Sequence, residues 1–307
     1  MKATRQAYGE ALQEFGGDER IVVMDCDLSK STMTAKFKEK YPERFINVGI
    51  AEGNMMSVAA GAASCGKVVF ASTFAMFAAG RAFEQVRNSV CYPNLNVKIG
   101  ATHAGITVGE DGASHQAIED IAIMRAIPNM TVVSPADAIE ARAAVKAAID
   151  TYGPFYLRFA RLASPIIYDE NYKFELGKGV LLREGADATL IATGLMVSKT
   201  LEAAEVLAAE GINVRVVNIH TIKPIDKNII IESAQKTQRI ITIEEHNVIG
   251  GLGSAVAEVL AENYPTKMKF IGVKDKFGRS GKPADLMKAY GLTPEDIVAE
   301  TREFAKT

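Results

Sequence analysis

The chain has 307 residues and a mass of 33.0 kDa, room for two domains at roughly 100–200 residues each. Hydrophobic residues make up 48% and charged residues 23%, a globular balance that excludes a disordered chain. Lys plus Arg is 35 and Asp plus Glu is 37, a net charge of -2, so no basic excess exists to neutralise a nucleic-acid backbone. Cys26, Cys65 and Cys91 are odd in number and widely spaced. They form neither a disulfide framework nor a zinc pattern, and fit a reducing cytoplasm. The N-terminus lacks the apolar core of a signal peptide. The most membrane-like stretch, Met55 to Gly80, is split by Lys67 and diluted by Gly and Ser. A spanning helix needs about 20 mostly apolar residues, so this stretch reads as a buried helix, a turn and a strand.

Strand-like and helix-like segments alternate along the chain. Arg20-IVVMDCD and Phe45-INVG are short apolar runs, and Asn54 to Cys65 is Ala-rich with a helical period. Lys67-VVFAST reads as a buried strand, and Ala78 to Val90 as a helix with Phe83, Val86 and Val90 on one face. Asn96-VKIGAT and Met130-TVVS read as strands. Ser134-Pro-Ala-Asp opens a helix, with Ser134 as its cap, that runs to Asp150. Pro154-FYLRFA is the last strand before a Pro-, Asp-, Asn- and Gly-rich stretch. Strands at Ala188-TLIATG, Asn213-VRVVNI, Arg239-IITIEE and Met268-KFIGV follow, with helices over 196–210, 227–236 and 252–263 between them. The pattern predicts two α/β domains, each a doubly wound parallel sheet, over 1–170 and 186–307, with a linker over 171–185.

Ligands of such sheets bind at the carboxyl ends of the strands. Glu52, in Gly49-Ile-Ala-Glu-Gly-Asn, reads either as a helix-start carboxylate or as an acid held against a nitrogenous ligand. Phe74 and Phe77 read as core, or as a platform for a flat ring. The segment from His103 to Gln116 is Gly-rich and holds two of the four histidines, with Glu110-Asp111-Gly112 between them. His103, Asp111 and His115 suit polyol binding or proton transfer better than zinc, since no further ligands are evident. Arg5 and Arg161 are surface cations or phosphate clamps, and Ser31 an N-cap or a phosphate site. Val248-Ile-Gly-Gly-Leu-Gly lacks the order of a dinucleotide fold and reads as close packing.

Ala3-Thr-Arg, Asp27-Leu-Ser-Lys-Ser-Thr, Gly49-Ile-Ala-Glu-Gly-Asn-Met, Ser72-Thr-Phe-Ala-Met-Phe, Gly109-Glu-Asp-Gly-Ala-Ser-His-Gln and Ser280-Gly-Lys-Pro occur in one order. Together they resemble the C-terminal half of transketolase over essentially the whole chain. The resemblance implies a thiamine diphosphate pyrimidine-binding domain followed by a transketolase C-terminal domain. It implies that Glu52 holds the proton at N1′ of the aminopyrimidine and that Phe74 and Phe77 pack on its ring. Asp27 is implied to lie near the cofactor at a subunit interface. His103 and His115 are implied to act at substrate hydroxyls, His115 and Glu52 being catalytic together with His103. Asp111 is implied to read the hydroxyl beside the reacting carbon, and Arg5, Ser31 and Arg161 to meet the phosphate end.

The Gly-Asp-Gly motif by which the family holds the cofactor's pyrophosphate and a divalent metal is missing here. The resemblance therefore implies one subunit of a split enzyme, a dimer of heterodimers. Magnesium or calcium would be held by an N-terminal partner, with no metal ligand on this chain. The implied reaction moves a two-carbon ketol unit from a ketose phosphate to an aldose phosphate in the cytoplasm, with no nucleic acid or membrane involved. Gly53, Asn54 and the Arg161-Leu162 pair depart from the family pattern without touching the main assignments. Two rivals share part of the pattern: the β subunit of a 2-oxo acid dehydrogenase E1 component, and a non-catalytic thiamine-binding paralogue. His220 and His246 read as structural.

Overall fold

The computed structural model describes residues 1–305. The first sheet has seven strands in the order Thr221–Lys223, Thr131–Val133, Phe155–Arg158, Val97–Thr102, Val68–Phe74, Ile21–Asp25, Phe45–Asn47. All neighbours are parallel except the first pair. Every residue of Val68–Phe74 is buried, as expected of a strand covered on both faces. Helices Thr4–Phe15 and Ala138–Asp150 cover one face around Tyr8, Leu12, Phe70 and Val145. The helix Glu52–Ser64 and the winding segment 77–91 cover the other around Met55, Met56, Ala59, Val86 and Val90. The alanines at 59, 60 and 63 let this helix lie close to the sheet.

The second sheet runs Lys267–Val273, Arg239–Asn247, Ala188–Ala192, Val214–Asn218, Val180–Arg183. The three contacts among its first four strands are parallel, and Val180–Arg183 is added antiparallel at the edge. Helices Met196–Ala209 and Pro294–Ala305 pack on one face, and Lys227–Thr237 and Leu252–Asn263 on the other. Among the described residues no helix is long and apolar enough to cross a membrane.

Several local expectations are corrected. The stretch 171–185, read as linker, contains the strand Val180–Arg183, whose short β-rich run is hidden between Gly179 and Gly185. The helix expected from Ser134 begins at Ala138, and its cap is Asp137, whose carboxylate accepts from the Glu140 N–H. Pro135 and Ala136 lie ahead of the helix, the Ala136 N–H donating to the Glu140 carboxylate at 2.7 Å. The helix expected over 78–90 is broken into π-helical turns at Phe77–Arg81 and Val86–Cys91 around a short α-turn. The helix Thr4–Phe15 was not foreseen. Its entry strand Lys2–Ala3 pairs antiparallel with Ala163–Ser164, and the Ala160 N–H donates to Thr4 Oγ1 at 2.8 Å. This pairing brings Arg5 to the loop that carries Arg161.

At the sheet centre the Tyr8 hydroxyl and Ser72 Oγ lie 2.6 Å apart, fully buried, and Gly100 faces them. A Cβ at Gly100 would overlap the Tyr8 hydroxyl and Ser72 Oγ. Tyr8 is packed in place by stacking on Phe159 at 4.7 Å. Gly100→Ala should therefore destabilise the chain by about 1–3 kcal/mol, the usual cost of overpacking. Gly17→Ala, where no atom lies within 4 Å of the added Cβ, should cost nothing. Urea unfolding of the two variants makes the comparison, and equal midpoints would contradict the overpacking.

Candidate active site

The carboxyl ends of the central strands gather most of the candidate residues. Glu52 opens the helix Glu52–Ser64, where a first-turn carboxylate is stabilised by the helix dipole. It is also buried, at 4% exposure. Its Oε1 lies 3.3 Å from Nη1 of Arg81. The same guanidinium sits 3.9 Å over the Phe77 ring, a cation–π contact. Arg81 was not foreseen. Its one sequence signal is a cation a single π-turn beyond Phe77.

Phe74 and Phe77 stack at 5.8 Å with an 18° tilt. Phe74 is buried, whereas Phe77 is only partly covered. His103 stacks on Phe74 at 3.9 Å, and His115 meets Phe77 edge-on at 5.2 Å. Glu52, Arg81, the two phenylalanines and the two histidines thus form one continuous surface. A buried carboxylate beside a half-open aromatic face suits a flat heterocycle bearing a protonated ring nitrogen.

His103 adopts a left-handed backbone (φ 58°), is 3% exposed and has Nδ1 2.9 Å from Thr102 Oγ1. Burial first, then the positive charges of Arg5 and Arg161, pushes its pKa down to about 3. It is therefore a neutral imidazole near pH 7, not the titrating group that its residue type suggests. His115 Nδ1 lies 3.0 Å from Ser114 Oγ.

Arg5 donates to the Ser31 carbonyl at 2.6 Å. Half burial and the charge of Arg161 lower its pKa from the usual arginine value. Arg161 donates to the Val108 carbonyl and lies 3.9 Å from both the Glu110 and Asp111 carboxylates. The structure thus joins Arg161 with Asp111, and Arg5 with Ser31. Ser31 lies within the short helix Ser29–Thr32 rather than ahead of one, and its N–H bonds the Leu28 carbonyl. The N-cap reading of Ser31 is corrected accordingly. Asp27 stands on the neighbouring loop, exposed, exchanging bonds with Asn47: its N–H donates to Asn47 Oδ1 at 3.0 Å, and Asn47 Nδ2 donates back at 3.1 Å.

That loop is set by Asp25, another residue the sequence reading passed over. Its buried carboxylate accepts from the Leu28 N–H at 2.6 Å, Thr32 Oγ1 at 2.7 Å and Thr34 Oγ1 at 2.9 Å. The segment 103–116 is mostly buried rather than solvated, and Ile106–Asp111 winds as 3₁₀ turns. Gln116 Nε2 ties it internally to the Ile106 carbonyl and externally to the Arg279 carbonyl, both at 3.0 Å. Among the described residues no three His, Cys, Asp or Glu side chains are grouped to hold a metal. The glycines at 251 and 253 close-pack as expected, a Cβ at either overlapping Glu244 or Phe270.

Two family models match the chain: the transketolase pyrimidine-binding domain over 1–165 and the transketolase C-terminal domain over 177–297. A Methanocaldococcus jannaschii protein named for the C-terminal section of transketolase is 52% identical over 99% of this chain and 97% of its own length. A 6-deoxy-6-sulfo-D-fructose transketolase subunit from a Clostridium strain is 45% identical over 97% of this chain and 93% of its own. Human transketolase is 39% identical over 98% of this chain, which spans 48% of that enzyme. Among solved structures, a split-gene transketolase described as an inactive beta4 tetramer is 54% identical. It superposes with a TM-score of 0.93 over 100% of this chain and 99% of that one. With both domains and the fold matched, the chain belongs to the transketolase family, in which it corresponds to the pyrimidine-binding and C-terminal domains.

Proposed function

We propose that this chain is the C-terminal subunit of a split, thiamine-diphosphate-dependent transketolase. It transfers a two-carbon ketol unit from a ketose phosphate to an aldose phosphate once joined to an N-terminal partner. The observation that carries this reading is Glu52, buried and paired with Arg81 beside the open face of Phe77. Glu52 holds a proton at the pyrimidine N1′, and Phe74 and Phe77 pack on the ring. Arg81 balances the buried carboxylate, which would be costly to leave alone. When bound, thiamine diphosphate supplies the electron sink for the two-carbon fragment. Its pyrophosphate and the magnesium or calcium ion fall to the partner, and Asp27 lies toward that interface.

Neutral His103 exchanges hydrogen bonds with substrate hydroxyls rather than attracting charge. His115 acts beside it, and Asp111 reads the hydroxyl next to the reacting carbon. Arg5, Arg161 and Ser31 take the phosphate end, where two guanidiniums favour a tetrahedral oxyanion. The Clostridium relative is named for a sulfonated ketose, whose anionic end has the same shape. The transketolase relatives weigh against the β-subunit reading, and the intact Glu52 and Asp111 against a non-catalytic paralogue. Active enzyme on this reading is a heterotetramer of two such subunits and two partners.

The reading is tested by reconstitution. The isolated chain should bind thiamine diphosphate weakly and transfer no ketol unit, and both properties should appear on mixing with the N-terminal chain. Calorimetry reads the first and a coupled ketol-transfer assay the second. Tight, magnesium-dependent binding by the isolated chain would overturn the division of labour.

Glu52→Gln keeps the shape of the side chain and loses its charge. In the reconstituted complex, hydrogen–deuterium exchange at the cofactor C2 should slow by about two orders of magnitude or more. An unchanged exchange rate would leave Glu52 only its part at the helix start.

His103 should stay neutral from pH 8 to pH 5, giving imidazole NMR signals that do not shift in that range. An unfolded histidine protonates near about 6.5. The unfolded state therefore binds the extra proton first, and His103 contributes stability above that pH that is lost as pH falls toward about 3. A His103 midpoint near 6.5 would show that burial does not control this group.

A further inference from the structure

We infer that Glu245, on the second unit, is a positioning residue for the substrate-reading loop 103–116, an inference that rests on the proposed ketol transfer. Glu245 lies at the carboxyl end of the strand Arg239–Asn247 and is 3% exposed. Its Oε1 accepts the N–H of Thr107 at 2.6 Å, across the joint between the two units. Gly105 has a φ of 81°, and a Cβ there would overlap the Glu245 carboxylate. The carboxylate thus fills the space that a side chain at 105 would take. Thr107 is itself buried, so its N–H has no water to turn to if the acceptor is withdrawn.

The loop so held carries Asp111 and His115, follows directly on His103, and offers the Val108 carbonyl to Arg161. Arg158 fixes Glu245 from behind, its Nη2 donating to the Glu245 carbonyl at 3.1 Å. Asp120 pairs with the same guanidinium, and His246 Nε2 lies 4.0 Å from the Asp120 carboxylate. Glu244, the adjacent acid, serves its own unit instead: it caps the helix Leu252–Asn263 through the N–H groups of Leu252 at 2.7 Å and Gly253 at 2.9 Å. A break in strand register between Ile243 and Asn247 lets two consecutive acids both be buried. One acid therefore builds its own domain and the other reaches into the neighbouring site. The Ser280-Gly-Lys-Pro segment closes the same loop from the far side, where a Cβ at Gly112 would overlap Ser280 Oγ.

The test uses the complex reconstituted with the N-terminal chain. Glu245→Ala should raise KM for the phosphorylated aldose acceptor by about 10- to 100-fold, the effect of losing a charge-assisted bond. Exchange at the cofactor C2, which depends on Glu52, should be unchanged. Glu245→Gln keeps a carbonyl oxygen for the Thr107 N–H and should restore most of the KM. Glu245→Asp keeps the charge but falls short of the amide, and should show the defect even if the alanine variant fails to fold. In the isolated chain, deuterium uptake at residues 105–116 should quicken in the alanine and aspartate variants only. Wild-type KM and uptake in both variants would overturn the inference. So would parallel losses of C2 exchange and KM that glutamine does not rescue. A wild-type complex without ketol transfer would instead sink the function proposed above, while faster uptake would still report the brace.

Discussion

The buried ion pair between Arg158 and Asp120 is the joint about which the molecule is organised. Arg158 Nε and Nη2 meet the two Asp120 oxygens at 2.8 and 3.2 Å, and the Tyr156 hydroxyl adds a third donor at 2.8 Å. Burial alone would raise the Asp120 pKa, but Arg158 and His246 outweigh it and hold the carboxyl below its usual range. The same Nη2 also reaches the carbonyls of Ala117 at 3.2 Å and Glu245 at 3.1 Å, one in each unit. Removing one partner of such a pair costs about 3–5 kcal/mol, because the other charge is left in a dry interior. Arg158, Asp120 and Tyr156 all lie in the first unit, and the Glu245 carbonyl adds the second unit to the same guanidinium. The loop that ends at Ala117 is therefore fixed by the same contact that docks the domains.

The electrostatics of the site follow from crowding rather than from charge count. Arg5 and Arg161 stand close enough that each discourages further positive charge nearby, and His103 answers by staying neutral. Positive charge is thus concentrated on two groups that cannot lose their protons, while the imidazole between them remains free to donate or accept. Arg81 does the reverse for Glu52, supplying a counter-charge to an acid that must remain buried.

The central strands were legible in the sequence because strands buried on both faces are unbroken runs of Val, Ile, Phe and Ala. Glu52, His103, Asp111 and His115 stood out as polar residues in segments that follow such strands, whereas Phe74 and Phe77 could be read as core or as a platform. What stayed hidden depends on partners distant in the chain. Glu245 meets Thr107 at a separation of 138 residues, and no local pattern marks it. The strand Val180–Arg183 was lost among turn-formers, and Asp137 was passed over as a cap because Ser134-Pro offered a plausible start first. The π-turns at Phe77–Arg81 and Val86–Cys91 break a helix that apolar periodicity alone draws as continuous.

The strand Thr221–Lys223 has a consequence for how the chain is divided. It belongs by sequence to the second unit, yet it pairs antiparallel with Thr131–Val133 and closes one border of the first sheet. Behind it, Lys223 Nζ donates to the carbonyls of Arg125 and Ile127. Cutting the polypeptide between the two units would bare a row of unpaired N–H and C=O groups on Thr131–Val133, a template for pairing with another chain. The two units are thus separate in family pattern but share one hydrogen-bonded ladder, so the second unit shields an edge of the first from edge-to-edge association.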